Sequence, residues 1–346
     1  MTNLTALLSR VRKLPLTEDT WECGFWLGRT WITEHRQPPY RAHIFMVVSS
    51  HGIPHVELSK PAYSADDVLE YLLRAMLKPI KGSCSPQRPT HVCCADAELV
   101  AQLAPRLAEL GIACAVSSPS AEWQFVQRDL EFSLNNGEEL LAGLASIPGA
   151  SLALQGHFYE LAADYYTLAP WHRLTDADPL EIRCPATSSP RYAVMLGSGG
   201  EIFGLAVYDT MEQACLILSG EELPGEEASQ NVLILFFEEP TSMTFDDLDA
   251  ITENGWTLAS PQAYPILGRS AANNIQQPPL ADLVWMEGAL AAIVCFIREH
   301  LQMDGHYVFP ADLTLPVQTL NGTIDVALRL PAFDNPKLHF VYDIKY

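Results

Sequence analysis

The sequence predicts an α/β (α+β) fold. Two related domains each follow the order β-β-β-α-β-α-β around a mixed sheet, and a C-terminal helix and β-hairpin come after them. Three observations carry this reading. Short apolar runs with strand character alternate with longer stretches whose apolar residues recur at helical spacing. Helix-start residues and stop glycines appear in the same order in both halves. The landmarks also match in spacing: Gly52 with Gly200, Ser64 with Thr210 and Gly111 with Gly255 lie 144 to 148 positions apart. Such regular offsets suggest a diverged internal duplication. The domains expected are residues 1–150, 151–280 and 281–346.

A short helix and a proline-containing entry segment fill residues 1–20. Residues 21–33 are rich in aromatic and β-branched side chains and predict a strand. Residues 41–50 predict a second strand, His51-Gly52 a turn, and residues 53–58 a third strand. Ser64-x-x-Asp67 has the form of a capping box, and Val68, Leu69, Leu72, Leu73 and Met76 fall on one helical face behind it. Residues 91–95 form a short buried strand. Asp96 caps a helix carrying Leu99, Val100, Leu103 and Leu107, in which Pro105 makes a kink or a new start. Gly111 ends it, residues 112–116 form a fifth strand, and helical material lies between 121 and 147.

In the second half, residues 152–168 predict a helix, and residues 180–184, 191–196 and 202–208 predict strands. Thr210 and Gln213 cap a helix that Gly220 ends. An acidic loop at 221–230 leads into a strand at 231–237. Thr244 caps the helix 245–254, Gly255 ends it, and residues 256–259 close the repeat as a short strand. Residues 282–301 form a strongly amphipathic helix. Asn321-Gly322 fits a type I′ turn between strands at 313–320 and 323–330, and 338–344 is a last strand.

Composition narrows the function. The chain has 346 residues, 21 Lys and Arg against 42 Asp and Glu, and a net charge of −21. Its 48% hydrophobic content excludes a disordered acidic chain. The scarcity of basic residues opposes binding to a nucleic-acid backbone. The longest mostly apolar run, 283–297, contains Glu287 and falls short of the roughly 20 residues of a membrane span. The basic residues near the N-terminus follow its apolar part, which is the wrong order for a secretory signal. The eight cysteines are scattered and contain no C-x-x-C. They are expected as free thiols in a reducing cytoplasm.

The stretch Pro170-Trp171-His172-Arg173-Leu174, followed by Tyr192-Ala193-Val194-Met195-Leu196-Gly197, Gly200-Glu201 and Gly204-Leu205-Ala206-Val207-Tyr208, resembles a recurrent domain of uncharacterised bacterial proteins of unknown function. Arg88-Pro89 before a strand, with the helix start Asp96 to Leu99, resembles a second module of the same proteins. The resemblance implies no activity for any residue.

Few constellations suggest chemistry. Gly197-Ser198-Gly199-Gly200 leads into a strand and lacks a following lysine, so it is a turn and not a phosphate loop. The order β-β-β-α-β-α-β is that of ribonuclease-H-like domains, in which carboxylates hold two metal ions. Glu22, Glu70 and Asp96 occupy the corresponding places, and Glu181, Glu212 and Glu238 their counterparts in the second half. Such a trio would support a metal-dependent phosphoryl hydrolase. Trp171, His172 and Arg173 could form a small recognition patch. His35, His43, His51, His55 and His91 lack ligand spacing, so no metal and no cofactor are expected. The preferred expectation is a noncatalytic binding or interaction protein of the bacterial cytoplasm, with a protein partner and neither nucleic acid nor membrane. The alternatives are the hydrolase and an acidic nucleic-acid mimic that binds a basic protein.

Overall fold

A computed structural model describes residues 4–218, 231–271, 274–305 and 307–332. The acidic loop at 221–230, the helix stop at Gly220 and the strand at 338–344 lie outside the described residues. The protein is α+β and divides into two compact units, Met1–Leu140 and Leu141–Tyr346.

The first unit contains α1 (Leu4–Val11), β1 (Leu16–Ile32), β2 (Tyr40–Ser49), β3 (Gly52–Ser59), α2 (Ala65–Leu77), β4 (Arg88–Cys94), α3 (Ala97–Ala108), β5 (Ala113–Val116) and α4 (Ala121–Leu134). Its sheet has the order β3-β2-β1-β4-β5. The first three strands pair antiparallel through short connections, while β1, β4 and β5 run parallel. Parallel neighbours need a crossover, and α2 and α3 supply it. From β1 to β5 the elements follow the order β-β-β-α-β-α-β that the sequence predicts. β1 starts earlier than expected, because Leu16 and Thr17 already pair with Arg88 and Pro89 of β4.

One face of this sheet supplies Trp21, Cys23, Phe45 and Val47 to a core shared with Leu69, Leu72 and Leu73 of α2 and Leu103 and Leu107 of α3. Both helices start where their caps dictate. Ser64 Oγ accepts the Asp67 N–H at 3.2 Å, and the Asp67 carboxylate accepts the Ser64 N–H at 2.9 Å. Asp96 caps α3, which continues through Pro105 as one helix. On another part of the unit, Trp123 of α4 is buried with Met46 and Val48.

The second unit contains α5 (Leu152–Leu168), β6 (Leu180–Arg183), β7 (Arg191–Leu196), β8 (Gly204–Tyr208), α6 (Met211–Leu218), β9 (Leu233–Glu238), α7 (Phe245–Asn254), β10 (Tyr264–Ala271), β11 (Asn274–Gln276), α8 (Leu280–Glu299), β12 (Met303–Asp304), β13 (Tyr307–Val308), β14 (Ala311–Thr319) and β15 (Gly322–Leu330). Eight strands form one sheet in the order β11-β10-β9-β8-β7-β6-β15-β14, and every neighbouring pair is antiparallel.

That order corrects the expected repeat: the second unit does not reproduce the mixed sheet of the first. The matched landmarks are caps and turns, whose chemistry is local. They fix neither which strands pair nor in which direction. Residues 256–259 form no strand. Trp256 there stacks on Tyr159, with ring centroids 5.0 Å apart, and the next strand is β10, antiparallel to β9.

α8 is the centre of this unit. It is buried along most of its length and packs on α5, β14 and β15. A Cβ at Gly288 would meet Cys184 Sγ at 2.8 Å and Ile324 Cδ1 at 3.1 Å, so glycine permits the close approach of helix to sheet. An 18-residue stretch of α8 has a mean hydropathy of 1.9, enough by length and composition for a membrane span, and 78% of that stretch is buried within this fold. The β14–β15 hairpin forms as expected, but its turn differs. Thr319 pairs with Gly322, so Leu320 and Asn321 are the turn residues. Positive φ falls on Gly322 alone of these, at 112°. A type I′ turn would need it at both central positions.

Candidate functional site

Four charged side chains meet in the second unit. Arg191 opens β7, Asp209 follows β8, Arg269 lies in β10 and Asp282 is in the first turn of α8. They form a closed ring of alternating sign. Arg191 reaches Asp209 at 2.9 Å and Asp282 at 2.8 Å, and Arg269 reaches Asp209 at 2.8 Å and Asp282 at 2.5 Å. Arg269 also donates to the Asn231 carbonyl at 2.6 Å. The Arg191 guanidinium lies 4.9 Å from the centre of the Trp285 ring.

The Asp282 side chain is only 2% exposed, so its charge is sustainable only because two guanidiniums face it. Burial opposes ionisation, yet Arg269 and Arg191 hold its carboxyl below the usual value. Burial likewise opposes the charge of Arg269, and Asp282 and Asp209 hold it above its ordinary value. Neither group is placed to exchange protons near neutral pH. A cavity of about 520 Å³ opens beside the ring, lined also by Asn231, Ser270, Gln276 and Gln277. The ring is a neutral latch joining three strands' ends to α8.

Among the described residues, three further carboxylates are buried in this unit: Glu181, Asp247 and Glu287. Glu287, on α8, accepts from the Leu320 N–H at 2.7 Å and pairs with His157 Nδ1 at 2.6 Å. Asp247, on α7, accepts the N–H groups of Leu144 and Ala145 at 3.0 and 2.8 Å. Burial pushes the Asp247 carboxyl up despite these bonds. A second cavity of about 590 Å³ adjoins it, walled by Leu144, Met243 and Ile266.

The carboxylates nominated from sequence are not among the described residues whose ligand atoms converge, and most of them have other partners. Glu22 accepts from the backbone N–H and Oγ of Ser120, the cap of α4, at 3.0 and 2.5 Å. Glu70 pairs with Arg74 one turn along α2. Asp96 accepts the N–H groups of Glu98 and Leu99 at 2.9 and 3.0 Å. Glu181 holds Arg183 Nε at 2.8 Å, and Glu212 is exposed. Among the described residues, the group of Cys, His, Asp and Glu whose ligand atoms converge within 4.8 Å is Cys295, Glu299 and His300. Trp171 is buried against Tyr166 and Phe203, with ring centroids 5.4 and 5.0 Å away. His172 and Arg173 are exposed beside it, and Arg173 Nη1 donates to the Ile297 carbonyl at 3.3 Å.

All eight cysteines are unpaired. Cys94 stands at the junction of β4 and α3, where a hydrogen bond from Cys23 and the backbone N–H groups of Asp96 and Ala95 pull its thiol down to about 7. The hydrogen bond with Cys94, together with burial, pushes the Cys23 thiol well up.

The charge ring escapes motif reading because its members are separated in sequence and joined only by strand order. One signal does precede it. Arg191 and Arg269 flank a stretch, 192–268, that contains no Lys or Arg.

The fold and this site define an α+β protein whose buried charges are spent on its own structure. Residues 7–131 match the family model described as Domain of unknown function (DUF6930), and residues 156–274 match Domain of unknown function (DUF7309). Neither description carries an activity. No curated protein matches the chain. Among solved structures, one chain is similar over 59% of this chain and 81% of its own length, at 13% identity and a TM-score of 0.22. It comes from the cryo-EM structure of the simian T-cell lymphotropic virus intasome in complex with PP2A regulatory subunit B56 gamma. At that score nothing about fold or function follows.

Proposed function

We propose that the protein is a noncatalytic binding protein whose second unit presents an acidic surface to a basic protein partner, in the reducing cytoplasm of a bacterium. One observation carries the reading. Residues 192–268 hold thirteen Asp and Glu and no Lys or Arg. Exposed members include Glu201, Glu212, Glu239 and Glu253. The cations nearest in sequence, Arg191 and Arg269, are consumed in the ring and cannot neutralise that surface. A concentrated field of one sign steers association with a partner of the opposite sign and weakens as salt rises. The eight unpaired thiols support the compartment. The separate engagements of Glu22, Glu70 and Asp96 favour this reading over the hydrolase.

The test is an anisotropy titration of the full chain against a labelled arginine-rich peptide and a DNA duplex, over a salt series. Expected are peptide binding that weakens with salt and no duplex binding. The double reversal Glu239→Lys/Glu253→Lys should weaken peptide binding more than Glu138→Lys/Glu139→Lys in the first unit. Equal effects of the two double variants would overturn the reading. So would divalent-metal-dependent phosphodiester hydrolysis that is lost in Glu22→Gln.

A further inference from the structure

We propose that Cys295, Glu299 and His300 form a binding site for a divalent transition-metal ion of the zinc class at the C-terminal end of α8. The geometry comes from helical spacing. Residues i and i+4 lie one above the other on a helix surface, and His300 stands at the cap, where the backbone leaves helical geometry with φ −125°. Cys295 and Glu299 belong to the last turns of α8, and His300 is the residue that caps it. One ligand atom from each side chain lies within 4.8 Å of the other two.

Three features separate this group from the carboxylates considered above. First, none of its three side chains makes a hydrogen bond or ion pair among the described residues, whereas Glu22, Glu70 and Asp96 are each engaged in a cap or pair. The neighbouring cation, Arg298, is drawn to Asp164 at 3.2 Å. Second, the position suits a cation, because the free carbonyls at a helix C-terminus carry partial negative charge. Third, the donor set selects the metal. A thiolate and an imidazole suit zinc and its neighbours in the first transition row, whereas magnesium and calcium prefer oxygen alone. Three protein donors leave a fourth position for water or an outside ligand, the pattern of an open zinc site. Binding requires the thiolate, so the Cys295 S–H bond breaks, its proton passes to solvent and the sulfur pair forms the bond to the metal.

Cys295 is half-buried and Glu299 and His300 are exposed, so substitutions there do not threaten the core. The experiment titrates the reduced full chain with CoCl₂, whose thiolate complexes absorb by ligand-to-metal charge transfer. Expected are a charge-transfer band that saturates at one equivalent, its displacement by ZnCl₂, and its loss in Cys295→Ser. His300→Gln should weaken binding by at least about tenfold, the lower end of what even an outer-shell partner's loss costs at a metal site. Cys94→Ser should leave the band unchanged. Absence of the band in the unaltered protein would overturn the proposal. Its persistence in Cys295→Ser would do so too, by assigning the metal to another thiol.

Discussion

The two units hold themselves together by different means. Residues 1–140 contain 13 Lys and Arg against 16 Asp and Glu, and residues 141–346 contain 8 against 26. The first unit relies on an apolar layer between sheet and helices, uses Asp67 and Asp96 at helix starts, and buries the Asp19 carboxylate on donors from Trp21, Ser50 and Gln87. The second unit buries Asp247, Asp282 and Glu287 and builds contacts around them. The difference shows that a large excess of acid does not prevent a tight core, provided the few cations are placed inside. It also shows where robustness ends: a core closed by dispersion fails by degrees, and one closed by ion pairs fails when a single partner is lost.

The sharpest way to break the contrast is Asp282→Ala. It leaves two largely buried guanidiniums with Asp209 as their one remaining ring partner, and should cost about 3–5 kcal/mol. Urea unfolding reads the total, and hydrogen exchange should rise in β7 and β10 while β1 and β4 stay protected. A loss below about 1 kcal/mol would show that the ring is not what secures α8. Leu72→Ala, at a fully buried position of α2, should cost about 3 kcal/mol through lost burial and the cavity left behind, with exchange rising in the first unit instead.

Acid sharpens the contrast within the second unit. The Asp282 carboxyl is held below its ordinary value, so its stabilisation is complete above the unfolded value near 3.8 and vanishes as pH falls through the lower folded value. Asp247 behaves in reverse. Its carboxyl is held above 3.8, so its ionised form weighs against folding at neutral pH, and that penalty fades as pH falls through the raised value. Urea midpoints measured down the pH scale should therefore show a smaller acid loss for Asp282→Asn than for the unaltered chain. Asp247→Asn should remove the opposing gain.

The smallest effects lie at the surface. Ser64→Ala removes one half of the capping box of α2 and should cost about 1 kcal/mol, read as a shift in urea midpoint. Arg298→Ala breaks an exposed pair with Asp164 and should cost below about 1 kcal/mol. Equal losses at Arg298 and Asp282 would abolish the distinction between buried and exposed charge on which the comparison rests.

What could be read from sequence follows the range of the interaction. Ser64, Asp96 and Thr244 mark true helix starts, because a cap involves residues two or three positions away. The element order of the first unit was legible, and there α2 and α3 serve as parallel crossovers. The second unit shows the same local signals with another outcome: α6 and α7 are followed by strands that pair antiparallel, a choice made by distant partners. The ring was hidden for the same reason, since Arg191 and Asp282 are 91 positions apart. Cys295, Glu299 and His300 needed only one helical turn. Their spacing matches no paired-cysteine or paired-histidine motif, because the set mixes three residue types at the end of one helix.

The place of β15 has a consequence for how the chain is made. β15 pairs with β6, which precedes it by about 140 positions, and the same hairpin covers α8. During synthesis α8 is made before β14 and β15 exist. At ~5–20 residues per second, the 31 positions from Glu299 to Leu330 take on the order of 2–6 s. For that interval a helix with the length and hydropathy of a membrane span lacks its final cover, and β6 has an open edge. Released chains that end before Ala311 should therefore enter the aggregated fraction.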